Sequence, residues 1–98
     1  MDEEQALLKE INAGAKAKAV MESEAFRDAV ERVQARIRDQ FAESDPMDVA
    51  KLQAIRYEQK ALADVVRELK TSMDSGTMAS MQIVTLRDRA KKFFKIGG

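Results

Sequence analysis

The chain has 98 residues with 17 basic and 17 acidic side chains, so its formal net charge is zero. It contains neither cysteine nor histidine, which excludes disulfides, thiolate metal sites and histidine-based nucleophile pairs. No long apolar run is present, and the start MDEEQALLKE is acidic, so we predict neither a transmembrane helix nor a secretory signal. These features predict a cytoplasmic protein.

Helical spacing of apolar residues runs through the whole sequence, and the composition is dominated by residues that favour helices. We therefore predict an all-α fold in a single domain, residues 1–98. The first predicted helix covers residues 1–20 and places Leu7, Leu8 and Ile11 on one face. Gly14 weakens this helix by about 1 kcal/mol relative to alanine.

The best-marked boundary in the chain is the segment AESDPMDVA. A second helix over about residues 23–42 begins at Ser23, a suitable N-cap. A third helix over about 46–74 follows, with Asp45 as N-cap and Pro46 at the first helical position. A link this short predicts that the second and third helices are antiparallel and pack against each other.

The third helix is predicted to end where Gly76 takes a left-handed C′ conformation. The central element is then an antiparallel helical hairpin, residues 22–76, with coiled-coil-like packing and flanking helices on both sides. The C-terminal flanking helix, residues 77–96, is amphipathic and basic.

An apolar seam follows the two helices of the predicted hairpin at steps of three and four residues. We predict it to be an assembly surface for a homo-oligomer, because a chain this short is often marginally stable alone. Its members are Phe26, Val30, Val33, Ile37, Phe41, Leu52, Ile55, Gln59, Leu62, Val66, Leu69 and Met73. Gln59 either fixes the register of association or lies at the edge of the seam in water, and the second interpretation is favoured slightly.

No constellation typical of catalysis or cofactor binding is present in the sequence. The segment GAKAKA lacks the glycines and the Lys-Ser/Thr pair of a phosphate loop. Neither DPMDVA nor MDSGTMAS has the ligand pattern of a calcium loop. The carboxylates are spread as on a solvated face, so we predict a non-enzymatic protein with no metal and no cofactor.

A basic, aromatic segment closes the sequence. Its residues are Arg87, Arg89, Lys91, Lys92, Phe93, Phe94, Lys95 and Ile96. Basic residues in a last helical turn complement the helix dipole, but that leaves Phe94 and Ile96 unexplained. We therefore predict that the segment docks on a larger protein or a neighbouring subunit, with weak, salt-sensitive nucleic-acid binding as the alternative.

Two further features leave alternatives open. The acidic first ten residues and the basic last twelve either attract each other or face different partners. Met73, Met78 and Met81 either form an adaptable binding surface or fill gaps in a core.

Residues 17–79 resemble small helical proteins encoded by tailed bacteriophages. The residues that carry this resemblance are Phe26 and Phe41 near the ends of one helix, the turn SDPMD, Arg56 early in the next helix and the closing SGTMA. The resemblance implies an accessory protein of head assembly or DNA packaging, similar to scaffolding proteins and small terminase subunits, in the host cytoplasm or the virion. No helix-turn-helix is recognisable in residues 1–41, which puts DNA recognition in doubt while leaving assembly open. The alternatives are a nucleic-acid-binding packaging or regulatory protein and a phage inhibitor of a host defence protein.

Overall fold

The computed structural model describes the backbone of residues 2–97 and the side chains of residues 2–92. Within this part of the chain there are three helices and no strand: α1 (Glu3–Glu22), α2 (Glu24–Glu43) and α3 (Val49–Gly97). The predicted all-α fold is therefore confirmed.

Side-chain caps set where the first two helices begin. Asp2 Oδ1 accepts a hydrogen bond from the Gln5 amide at 2.8 Å, which satisfies one of the unpaired donors at the start of α1. Ser23 separates α1 from α2, and its hydroxyl oxygen accepts from the Phe26 amide at 3.3 Å. The prediction that Ser23 is the N-cap of α2 is confirmed.

The start of α3 differs from the sequence prediction. Asp45 Oδ1 accepts from the Met47 amide at 2.9 Å, so the carboxylate of Asp45 closes a local turn that includes Pro46. Asp48 caps the helix instead, accepting from the Lys51 amide at 3.1 Å. The predictions of Asp45 as N-cap and Pro46 as first helical residue are wrong, because the turn delays the helix to Val49.

The predicted helix end at Gly76 is also wrong. Helix α3 continues through this position to Gly97, and no glycine in the described part of the chain has a positive φ. Gly76 is buried in the helix, beside Gly14 of α1. The segment predicted as a separate C-terminal helix, residues 77–96, is therefore the continuation of α3.

Two compact units divide the chain, and each contains part of α3. The first unit consists of α1 up to Ala19 and α3 from Leu69 onward. Leu7, Ala79 and Ile83 form its core, with Ile11 and Leu86 packed against them. The second unit, Val20–Glu68, buries Ile37 and Ile55. In this unit an ion pair of 2.9 Å joins Arg36 of α2 to Glu58 of α3.

A close approach of α1 and α3 distinguishes the first unit. A Cβ atom added to Gly14 would lie 2.8 Å from the carbonyl oxygen of Ser72 and 2.9 Å from Cα of Gly76. A Cβ atom added to Gly76 would lie 3.0 Å from Cα of Gly14. The two backbones meet at a distance that only glycine permits on both sides, which explains why neither position carries a side chain.

Candidate interaction surfaces

The predicted assembly seam is only partly covered within the chain. Ile37 and Ile55 are its buried members, whereas Phe41 and Gln59 are exposed. The remaining seam residues are partly buried: Phe26, Val30, Val33, Leu52, Leu62, Val66, Leu69 and Met73. The exposure of Gln59 agrees with the interpretation that this side chain lies in water. Two helices thus leave most of the apolar seam half open to solvent.

An open groove of about 340 Å³ lies along the seam in the second unit. Its apolar lining consists of Met21, Phe26, Val30 and Val66, and its polar lining consists of Arg27, Glu31 and Gln34. Arg27 is held at the edge because its Nε donates to the carbonyl oxygen of Met21 at 3.3 Å. An apolar floor with a polar rim is the usual composition of a protein–protein contact surface.

Several large apolar side chains of the second unit are exposed to solvent, including Phe41 at 52% and Tyr57 at 70% exposure. Where such side chains form a contiguous surface, the surface typically marks a contact with another molecule.

The basic segment begins with an ion pair to the other end of the chain. Arg87 donates to Glu4 Oε1 from Nε at 3.3 Å and from a terminal nitrogen at 3.1 Å. The contact joins an acidic residue of the first ten residues to a basic residue of the last twelve. It agrees with the interpretation that the oppositely charged ends attract each other. Both side chains are about half exposed, so the pair contributes little stability.

The remaining described residues of the basic segment, Arg89, Lys91 and Lys92, are exposed. They present positive charge to solvent at the end of α3. The same segment is predicted to include four further residues whose side chains lie outside the described part of the structure: Phe93, Phe94, Lys95 and Ile96.

The methionines near Gly76 divide between two environments. Met73 is partly buried, whereas Met78 is 61% and Met81 67% exposed. Val84, one turn after Met81, is 56% exposed. Met78, Met81 and Val84 are therefore apolar side chains exposed on the outward side of α3. The exposure of Met78 and Met81 agrees with the prediction of an adaptable surface, whereas Met73 is partly buried and Val84 was not predicted as part of that surface.

The described residues contain no cluster of three or more acidic, cysteine or histidine side chains that could hold a metal ion. Across residues 2–92, every buried side-chain nitrogen or oxygen has a hydrogen-bond partner. None of the described helices has a segment long and apolar enough to span a bilayer.

Comparison with known proteins identifies no relative: no family model, curated protein sequence or solved structure matches the chain.

Proposed function

We propose that the chain is a non-enzymatic helical assembly protein that self-associates through the seam of its second unit. In this proposal α2 and the first part of α3 form an antiparallel hairpin with coiled-coil-like packing. The buried pair Ile37 and Ile55 and the ion pair of Arg36 with Glu58 support that arrangement.

The observation that carries the proposal is the half-open seam. Bundles of four helices bury their apolar stripes because every helix contacts two neighbours. Here Phe26, Val30 and Val66 are only partly buried and line a groove. A second copy of the same hairpin supplies an apolar stripe of matching spacing, and burial of both stripes removes their apolar surface from water. Each Å² so buried stabilises the association by about 25 cal/mol before the costs of association.

The second part of the proposal assigns the basic segment, Arg87 to Ile96, to docking on a larger protein. Arg89, Lys91 and Lys92 present three exposed cations, while Arg87 is paired with Glu4. The Glu4 carboxylate beside the segment repels a polyanion such as nucleic acid, but it can contact a protein surface that carries both charges. We therefore favour a protein partner over nucleic acid. Within this proposal, the resemblance of residues 17–79 to small helical phage proteins favours a role in head assembly or DNA packaging.

The experiment that tests self-association compares two exposed aromatic residues of the second unit. Phe41 belongs to the seam, whereas Tyr57 does not, and both are more than half exposed. We expect Phe41→Asp to lower the molar mass measured by light scattering toward the monomer value of 11.0 kDa, because the substitution places a charge in the apolar contact. Tyr57→Asp should leave the mass unchanged.

Circular dichroism of both variants checks that the helices remain. A Phe41→Asp protein that is fully helical and keeps the mass of the unaltered chain would exclude the seam as the contact surface.

A further inference from the structure

The groove of the second unit and the exposed Phe41 side chain lie on one side of α2. Arg27 and Gln34 line the groove, and Phe41 follows Gln34 at the same step of seven residues. Seven residues are close to two turns of an α-helix, so residues at this spacing share one side. The helix therefore presents a groove near its start and an exposed aromatic ring near its end to the same neighbour.

The charged residues on this side of α2 are ordered so that two antiparallel copies attract each other. Arg27, Glu31 and Arg38 lie within about 60° of Gln34 around the helix, and all three are exposed. Glu31 precedes Gln34 by three residues, and Arg38 follows it by four. If a second α2 runs in the opposite direction, with a two-fold axis beside Gln34, Glu31 of each copy is level with Arg38 of the other. Both contacts then join opposite charges.

The same charges oppose a parallel arrangement of the two helices. Parallel pairing about a common axis places each residue level with its own copy. Glu31 would then face a second Glu31, and Arg38 would face a second Arg38. Like charges that face each other at a contact disfavour association. Charge complementarity therefore selects the antiparallel direction.

The axis beside Gln34 also brings Phe41 of one copy to the groove of the other. Phe41 lies seven residues after Gln34, and Arg27 lies seven residues before it, so these two residues meet in antiparallel pairing. Phe26 and Val30 supply apolar lining at this level of the groove. The Arg27 side chain is held at the groove edge by its hydrogen bond to a backbone carbonyl oxygen, where a guanidinium can stack on an entering ring.

We propose that the groove binds Phe41 of a second copy, in an antiparallel contact of α2 with α2 whose two-fold axis passes beside Gln34. A two-fold contact requires one surface that is complementary to itself. This side of α2 meets the requirement, because groove and ring, and acid and base, lie at matched distances from Gln34. The contact rests on the proposed self-association and fixes its occupant, direction and register.

Reversing one charge at a time tests the pairing of Glu31 with Arg38. We expect Glu31→Arg and Arg38→Glu each to weaken self-association at least about tenfold, because each substitution places two like-charged pairs in the contact. An equimolar mixture of the two variants should associate as the unaltered chain does, since both pairs in the mixed dimer join opposite charges. Sedimentation equilibrium over a dilution series measures association, and circular dichroism checks that the variants are helical.

The matched controls for the charge reversals are Arg32→Glu and Asp39→Arg. These two exposed residues are also seven residues apart, and they lie about 140° to 160° away from Gln34 around α2. Neither control should change the association, because neither residue is on the side that carries the groove.

A cysteine at position 34 tests the position of the axis, because the natural chain has no cysteine. Residues beside a two-fold axis meet their own copies, and helices packed at roughly 8 to 10 Å bring such residues within disulfide range. We expect Gln34→Cys to form a disulfide-linked dimer about tenfold faster than Ala25→Cys, because the contact raises the effective thiol concentration. Ala25 is exposed on the opposite side of α2.

The results distinguish a failure of this contact from a failure of self-association. An oligomer whose mass resists both single reversals, a mixture of the two variants that stays dissociated, or equal rates for Gln34→Cys and Ala25→Cys would overturn the contact. Each of these results would leave association through the seam in place. An unaltered chain that is monomeric at every concentration would overturn both proposals.

Discussion

Replacing Gly14 by alanine is expected to destabilise the chain by about 2 kcal/mol, although alanine is the better helix former by about 1 kcal/mol. The added Cβ would lie 2.8 Å from the Ser72 carbonyl oxygen and 2.9 Å from Cα of Gly76. Both are backbone atoms and cannot rotate away as a side chain does. Helices α1 and α3 must therefore separate at this point, which loosens the packing of the first unit. Urea unfolding at a fixed chain concentration measures the change.

The control for this prediction is Asn12→Ala. Asn12 lies on an exposed part of the same helix, so alanine gains helix propensity there without a new contact. We expect this variant to be unchanged or slightly more stable. If Gly14→Ala were stabilised to the same extent as Asn12→Ala, the close approach of Gly14 and Gly76 would not exist in the folded protein.

Truncating Ile83 to alanine is expected to cost about 3 kcal/mol of unfolding free energy. Ile83 is 5% exposed and packs in the core of the first unit with Leu7 and Ala79. The substitution leaves a cavity beside Leu7 and Ala79, against which Ile11 and Leu86 also pack. Thermal and urea unfolding followed by circular dichroism measure the loss.

Val84→Ala is the matched control, since Val84 is the next residue and is 56% exposed. Because this side chain is mostly in water already, we expect a change below about 0.5 kcal/mol. Equal losses for Ile83→Ala and Val84→Ala would contradict the assignment of Ile83 to the core.

Local patterns predicted the helical content and one of the caps. Ser23 was identified by the chemistry of N-caps. Asp45 was assigned the wrong role because two aspartates flank Pro46 and both fit an N-cap. The local turn closed by the Asp45 side chain leaves Asp48 as the N-cap of α3. Residue propensities alone do not predict that turn.

Gly76 shows where sequence reasoning reaches its limit. A glycine near the end of an apolar stripe is typical of a helix terminus, but the same residue also permits two helices to touch. The choice depends on Gly14, which is distant in sequence and close in space.

The candidate surfaces were predicted unevenly. The spacing of apolar residues identified the seam, because it shows which side of each helix is apolar. It did not predict that most seam residues are only partly buried, because spacing does not give the number of helices that pack against that side. The opposite charges of the chain ends indicated an attraction, and the contact of Glu4 with Arg87 is one example. Met78 and Met81 could not be assigned from the sequence, since methionine is common both in cores and on adaptable surfaces.

Sedimentation equilibrium of the unaltered chain tests self-association most directly, because the method gives mass without assumptions about molecular shape. At a chain concentration of about 100 μM, we expect a mass of at least two chains that falls on dilution. A chain that is fully helical by circular dichroism and sediments at 11.0 kDa over the whole concentration range would contradict the account.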